Sequence, residues 1–231
     1  MSFATSIAQN IRAELENLIE MVNNASTESQ TAHEIETRLW WELLAMGQQF
    51  MQQYFDACEK QEVREKARRV DGIDYPYIGQ KKRQYVSLFG DVTVRRACYW
   101  RKGAGSQFPL DDQLSLPQRS FSDIVQERIS ELTAVMTYEE AVTVFSKWLG
   151  WDLSKRSSEQ INTDHADHVT AYYDTQIVPD TPVSDTILVV SADGKGIPMT
   201  RKDSPPPEER RGRGDKKTAK KDATVTALYT I

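Results

Sequence analysis

Apolar residues at Ile7, Ile11, Leu15, Leu18, Ile19 and Val22 recur every three or four positions, and Asn23-Asn24-Ala25-Ser26 interrupts them, so the chain opens with a predicted amphipathic helix. A longer helix is predicted from about Glu28 to Arg68, a stretch without proline whose only glycine is Gly47. Its apolar stripe, Leu39, Leu43, Met46, Phe50, Tyr54 and Cys58, needs a cover. Either the first helix folds back on it or a second copy of the chain does, and Trp40-Trp41 suits self-association. After Asp71-Gly72 the period falls to two: Gln84 to Phe89, a turn at Gly90-Asp91, then Val92 to Trp100 reads as a β-hairpin. Gly103 to Pro117 is loop, and helical texture returns from Ser122 to Val135. Thr137-Tyr138-Glu139-Glu140 is a capping box opening a helix that ends near Gly150, and a third helix runs from about Lys155 to Tyr173. Residues Gln176 to Asp185, with two prolines, form a linker. Thr186 to Ala192 is a short continuous apolar run, the texture of a strand covered on both faces, and Asp193-Gly194-Lys195-Gly196 follows it directly. A polar segment broken by Pro and Gly leads to a second β-rich run, Ala223 to Ile231.

These elements predict an α+β chain in four parts: a helical region over 1–70 with a potential for self-association, a basic hairpin and loop over 71–118, a helix-turn-helix-like three-helix segment over 119–175, and over 176–231 the first strands of an incomplete α/β domain. With 231 residues, 39% of them apolar, the chain can bury more than one core, which fits that division. No run reaches the roughly 18 to 20 apolar residues of a membrane span, and Met1-Ser2-Phe3-Ala4 lacks a basic region followed by an apolar signal core, so a cytoplasmic protein is expected. Cys58 and Cys98 have no ligand spacing and are assigned to packing.

Charge changes the picture because it is segregated. Residues 1–59 carry two basic and nine acidic side chains, 60–102 carry twelve and five, 103–200 carry six and fifteen, and 201–221 carry nine and four. Two cationic islands therefore stand in an acidic chain of net charge −5. In the first, Lys81, Lys82, Arg83, Arg95, Arg96, Arg101 and Lys102 accompany Tyr85, Tyr99 and Trp100, a mixture suited to phosphate contact and base stacking; a small sheet with a basic solvent face accounts for the same residues. If the helices form a helix-turn-helix unit, Lys155, Arg156, Ser157, Ser158, Gln160 and Asn162 at the front of the last helix are its readers. Against this, residues 121–173 hold four basic and nine acidic side chains, and a packing module without DNA contact fits that balance. His165 and His168 beside Asp164 and Asp167 make a weak metal candidate, since exposed polar residues at this spacing are common.

Asp193 carries the sharpest hypothesis. A carboxylate at the end of a buried strand is firmly held and suits a divalent metal acting on a phosphodiester, whereas Asp-Gly is also an ordinary turn pair. The cationic segment after it, with Arg201, Lys202, Arg210, Arg211, Arg213, Lys216, Lys217, Lys220 and Lys221, would contact DNA backbone. The string Val190-Ser191-Ala192-Asp193-Gly194-Lys195-Gly196-Ile197-Pro198-Met199, the Lys/Arg-rich insertion and the return through Lys221-Asp222-Ala223-Thr224-Val225 resemble the start of the catalytic domain of DDE insertion-sequence transposases of the ISKra/ISLre type. Upstream, Leu88 to Arg96, Pro109-Leu110-Asp111 and Thr137 to Ala141 resemble the same family, so the likeness covers roughly residues 80 to 231.

The resemblance implies a ribonuclease H-like fold in which three acidic residues hold two metal ions, Mg²⁺ or Mn²⁺, for DNA strand cleavage and transfer. It implies Asp193 as the first catalytic, metal-binding residue, in a bacterial, nucleoid-associated setting, and the DNA contacts expected from the hairpin and the helix-turn-helix reading include Arg95, Arg96, Lys155 and Arg156. Only that first acid matches, so no metal is expected to bind tightly to this chain alone. Ile231 closes an apolar β-run with no polar cap, which leads to the expectation of a truncated gene, a frameshift product or an excerpt. The alternative function is a catalytically inactive product that binds DNA, or pairs with intact transposase, and represses transposition.

Overall fold

The structure, a computed structural model, describes residues 3–25, 27–176, 187–198 and 220–230. The chain divides into two compact units, residues 1–172 and 173–231. Helices and strands follow one another in blocks, so the class is α+β.

The first unit opens with helices α1 (Phe3–Ala25) and α2 (Ala32–Gln61). Thr31 caps α2: its hydroxyl accepts from the Glu34 amide while the Glu34 carboxylate accepts from the Thr31 amide. Those bonds hold the Glu34 carboxyl below its ordinary range, the backbone bond foremost. α1 turns back on α2, where Gln49 donates to Glu14, and Glu14, Leu18 and Met21 line a cleft with Arg38, Glu42 and Met46. α2 ends at Gln61, not near Arg68 as the pattern predicts. Residues Ala67–Val70 form strand β1, paired with the start of β2 (Ile73–Ser87) across Asp71 and Gly72, both at positive φ (49° and 78°). Positive φ at both central residues is what a tight two-residue hairpin demands, and Asp-Gly supplies it.

Strand β2 pairs with β3 (Gly90–Arg101), and β4 (Gly105–Gln107) completes a four-stranded antiparallel sheet in the order β1-β2-β3-β4. Ser87 lies opposite Gly90, so the turn is Leu88-Phe89 and not the expected Gly90-Asp91. That turn is gripped from outside: the Phe89 ring occupies the space a side chain on Gly47 would need, and the Trp151 indole N–H donates to the Leu88 carbonyl at 3.1 Å. Helix α2 also closes the open edge of β3. Gln52 donates to the Thr93 carbonyl (3.0 Å) and accepts from its amide (2.8 Å), Gln48 donates to the Asp91 carbonyl, and Glu62 accepts from the Ala97 amide. A bare strand edge invites pairing with other chains, and these side-chain amides blunt it. The core beneath joins Phe55 of α2 to Val92, Val94 and Leu110, the last from the short helix α3 (Pro109–Gln113).

Helices α4 (Asp123–Val135), α5 (Tyr138–Leu149) and α6 (Lys155–Ala166) pack together around Val125, Ile129, Ala141, Phe145, Leu153 and Ile161. The predicted third helix breaks at Asp167-His168 before a short α7 (Val169–Asp174). The three-helix bundle is tied to the sheet where Val86 exchanges backbone hydrogen bonds with Ser120 and Ser122. The tryptophans expected to serve self-association also meet α5 within the chain, while 49% and 41% exposed: the Trp40 indole donates to the Trp148 carbonyl at 2.7 Å, and Trp41 lies against Gly150.

The second unit contains β5 (Leu188–Pro198) and β6 (Lys220–Thr230), an antiparallel pair. The predicted strand stops at Ala192; the observed one continues through Asp193-Gly194 to Pro198, so Asp-Gly is neither a turn nor a strand end. Among the described residues no helix is long and apolar enough to cross a membrane.

Candidate nucleic-acid interface

The path from α5 to α6 is set by three local signals. Gly150 takes the left-handed conformation (φ 72°) and its amide caps the Ser146 carbonyl, ending α5. Leu153 drops into the core, and Ser154 starts α6 by accepting from the Ser157 amide at 3.0 Å. At the front of α5, the Thr137–Glu140 capping box holds the Glu140 carboxyl below its ordinary range, chiefly through the Thr137 hydroxyl.

Helix α6 buries Ser158 and Ile161 completely. With that face fixed, Lys155, Arg156, Glu159 and Gln160 point outward. Three of the expected readers are thereby removed. Ser158 is enclosed, Ser157 bonds to the capping Ser154 at 2.7 Å, and Asn162 donates to Thr133 at 2.9 Å and to the Ser158 carbonyl. Lys155 and Arg156 stay exposed, Lys155 only loosely tethered to Glu139 at 3.9 Å.

The acids on this unit are partly neutralised from within. Arg119 donates two hydrogen bonds to Asp164, one of 2.9 Å, which lower the Asp164 pKa and raise that of Arg119. His165 pairs with Ser130 at 3.1 Å. Two donors of the weak metal candidate thus have other partners, and among the described residues no group of three or more His, Cys, Asp or Glu is arranged to hold a metal ion.

On the sheet, the expected cationic cluster splits by strand parity. Arg83 lies opposite Val94 and Arg96 opposite Lys81. Arg83 and Arg96 turn inward and converge on Asp111, with side chains only 12%, 11% and 16% exposed respectively. Arg83 also donates to the carbonyls of Pro117 and Arg119, and the Arg96 guanidinium stacks 3.8 Å above the Phe108 ring. Burial lowers the pKa of both, and for Arg96 the neighbouring Arg83 adds to it. Arg96 is therefore corrected from a DNA contact to an internal tie between β3 and the α3 loop. Arg95 is exposed, directly opposite exposed Lys82, whereas Lys81, also exposed, has the register of Arg96 and belongs to the other face. The aromatic half of the expectation fails because two of the three rings are taken up by packing. Tyr99 is buried and accepts from the Glu65 amide, Tyr85 packs on Phe55 at 5.1 Å, and only Trp100 stands exposed.

In the second unit Asp193 is exposed, opposite Val225. Ser191, Lys195, Ala223 and Ala227 share its side of the ribbon by register, so no second carboxylate joins it among the described residues of the pair. Val190 and Val225, 61% and 72% exposed, show that this ribbon is not covered on both faces as the apolar run predicts. Lys220 and Lys221 lie in β6, opposite Pro198 and Ile197, with side chains outside the described set. Arg201, Lys202, Arg210, Arg211, Arg213, Lys216 and Lys217 lie outside the described residues altogether.

No protein family, no curated protein and no solved structure matches the chain.

Proposed function

We propose that this chain binds duplex DNA, as the end-recognition portion of an insertion-sequence transposase, with α6 as the element presented to the groove. The observation that carries the reading is the α5–turn–α6 unit, whose packing turns Lys155, Arg156 and Gln160 outward at a helix start. Two cations and free amides at that end favour phosphate oxygens, and a glutamine can pair with an adenine edge. Lys82 and Arg95, paired on one face of the sheet, add a second cationic patch. Asp193, on a paired strand and joined in sequence through the Lys/Arg-rich segment 201–219 to β6, is the proposed first carboxylate of a ribonuclease H-like active site. The uncovered Val190 and Val225 support the reading of β5 and β6 as two strands of a larger sheet.

The residues do not by themselves fit a two-metal site. Asp193 offers one carboxylate, and Mg²⁺ typically takes one or two plus substrate oxygens. This favours a second reading, DNA binding without strand chemistry, in which the chain acts as a repressor.

Fluorescence anisotropy with a labelled duplex, titrated with salt, tests the proposal. Binding at about 50 mM salt that weakens steeply as salt rises is expected, and no binding there overturns it. Incubating supercoiled DNA with Mg²⁺ separates the two readings: nicking abolished by Asp193→Asn supports the enzyme, and intact plasmid supports the repressor.

A further inference from the structure

Strand β3 is closed on both sides, by β2 and by α2, but β2 is not. Successive residues of a strand direct their backbone groups to alternate sides, so Val86, whose N–H donates to Ser120 and whose carbonyl accepts from Ser122, fixes the parity of β2. Gln84, Lys82 and Gln80 point the same way, away from β3, as their register partners Thr93, Arg95 and Ala97 point away from β2. On the β3 side α2 answers, Gln52 bonding to Thr93 and Glu62 to Ala97. On the β2 side β1 reaches only to Pro76, the Lys66 carbonyl takes the Tyr77 amide, and the chain returns at Val86. Among the described residues the backbone groups of Gln80, Lys82 and Gln84 therefore have no partner within the chain. The open stretch, from Gly79 to Tyr85, has the ordinary length of one strand, and the exposed side chains of Gln80, Lys81, Lys82 and Gln84 leave it accessible.

The chemistry of that edge says what fits it. Alternating donors and acceptors match an extended peptide backbone, which offers both at the same spacing. Duplex DNA presents phosphate oxygens, which accept from the amides but meet the carbonyls as acceptor against acceptor. A second copy is turned away by charge. Laid antiparallel along the same edge, it brings Lys82 opposite Lys82 or Lys81 opposite Lys81, and like charges directly opposite destabilise a strand pair.

The charge that excludes a copy selects acids. Lys81 and Lys82 are adjacent, so one stands on each face of the sheet, and Arg95 lies beside Lys82. None of the three has an acidic partner among the described residues. Glu59 and Asp91, which share this part of the sheet, are held by the side-chain amides of Gln80 and Gln84. An added strand sets one residue opposite each lysine, so two successive acids meet both charges. From this we infer that the β2 edge takes up an acidic, extended segment of a partner protein by β-augmentation, with adjacent carboxylates opposite Lys81 and Lys82. The inference stands on the sheet edge and not on the DNA reading; an occupant there also neutralises the Lys82–Arg95 patch.

The probe for this is the capped hexapeptide Val-Thr-Glu-Glu-Thr-Val, titrated into the full chain and followed by amide hydrogen exchange in NMR spectra. In the free protein the amides of Gln80, Lys82 and Gln84 should exchange fast and those of Lys81 and Arg83, which point at β3, slowly. Saturating peptide should slow the first three roughly tenfold or more. Lys81→Glu/Lys82→Glu, with circular dichroism as the folding control, should weaken the probe roughly tenfold and transfer the preference to Val-Thr-Lys-Lys-Thr-Val. A probe N-methylated at alternate residues, which keeps its charge and loses its donors, should bind far more weakly than the parent. Absence of binding at millimolar peptide overturns the inference. So does binding that leaves the three amides fast or tolerates N-methylation, because the contact is then charge alone. Protection of the same amides by duplex DNA and not by the peptide overturns it too, and gives the edge to nucleic acid.

Discussion

At the scale of single residues, strand parity decides which cations are available, and composition does not reveal it. Arg95 and Arg96 are chemically alike and adjacent, yet one faces solvent and the other, with Arg83, grips Asp111 under cover. Asp111→Ala leaves two guanidinium groups facing each other without their anion. It should lower stability by about 3 kcal/mol in denaturant unfolding, and a change below about 0.5 kcal/mol would remove the internal role assigned here. Two other carboxylates should show opposite pH signatures. Arg119 lowers the Asp164 pKa on folding, so the unfolded state takes up the proton first as pH falls. The stabilisation is full above about pH 5 and is lost as pH drops through the folded pKa, below the unfolded value near 3.9. The melting-temperature gap between wild type and Asp164→Asn should therefore close in acid; a constant gap contradicts the pairing. Glu62 goes the other way, since burial raises its pKa and its charged form is the disfavoured one. Glu62→Gln, which keeps an acceptor for the Ala97 amide, should stabilise the protein at neutral pH and make no difference in acid.

At the scale of elements, the helices were largely legible in the sequence because their signals are local. The Thr137–Glu140 box, Gly150 and the polar start of α6 each mark a boundary that the structure keeps. What was not legible depended on partners distant in sequence. β1 is polar and reads as the tail of a helix until β2 folds back across Asp71-Gly72 to pair with it. The displaced hairpin turn depends on Gly47 making room for Phe89, forty-two residues away, and Trp40-Trp41 look like a free patch until α5 ends against them. Asn162 reads as a base-contacting residue because its bond to Thr133 links two helices with no sequence signature. Gly150→Ala tests the α5–α6 turn. It forces a side chain into the left-handed region and within 2.8 Å of Trp41, and should lower stability by about 2 kcal/mol, with a shifted tryptophan emission. A neutral effect would mean that the turn does not depend on that contact.

At the scale of the molecule, a basic sheet patch and a cationic helix start belong to the first unit, and Asp193 to the second. The acidic balance of the three-helix segment, which argues against DNA when read as a total, weighs less once Asp164 is paired with Arg119. The ribbon carrying Asp193 has apolar side chains in water, and its Asp offers a single carboxylate, so DNA recognition is the property that this chain can be asked to show alone. The most direct test compares the salt dependence of duplex binding for the wild type and for Lys155→Ala/Arg156→Ala. Two lost phosphate contacts should reduce the slope of log affinity against log salt by about 1.8 while leaving the melting temperature unchanged. Equal slopes for the two proteins would contradict the account.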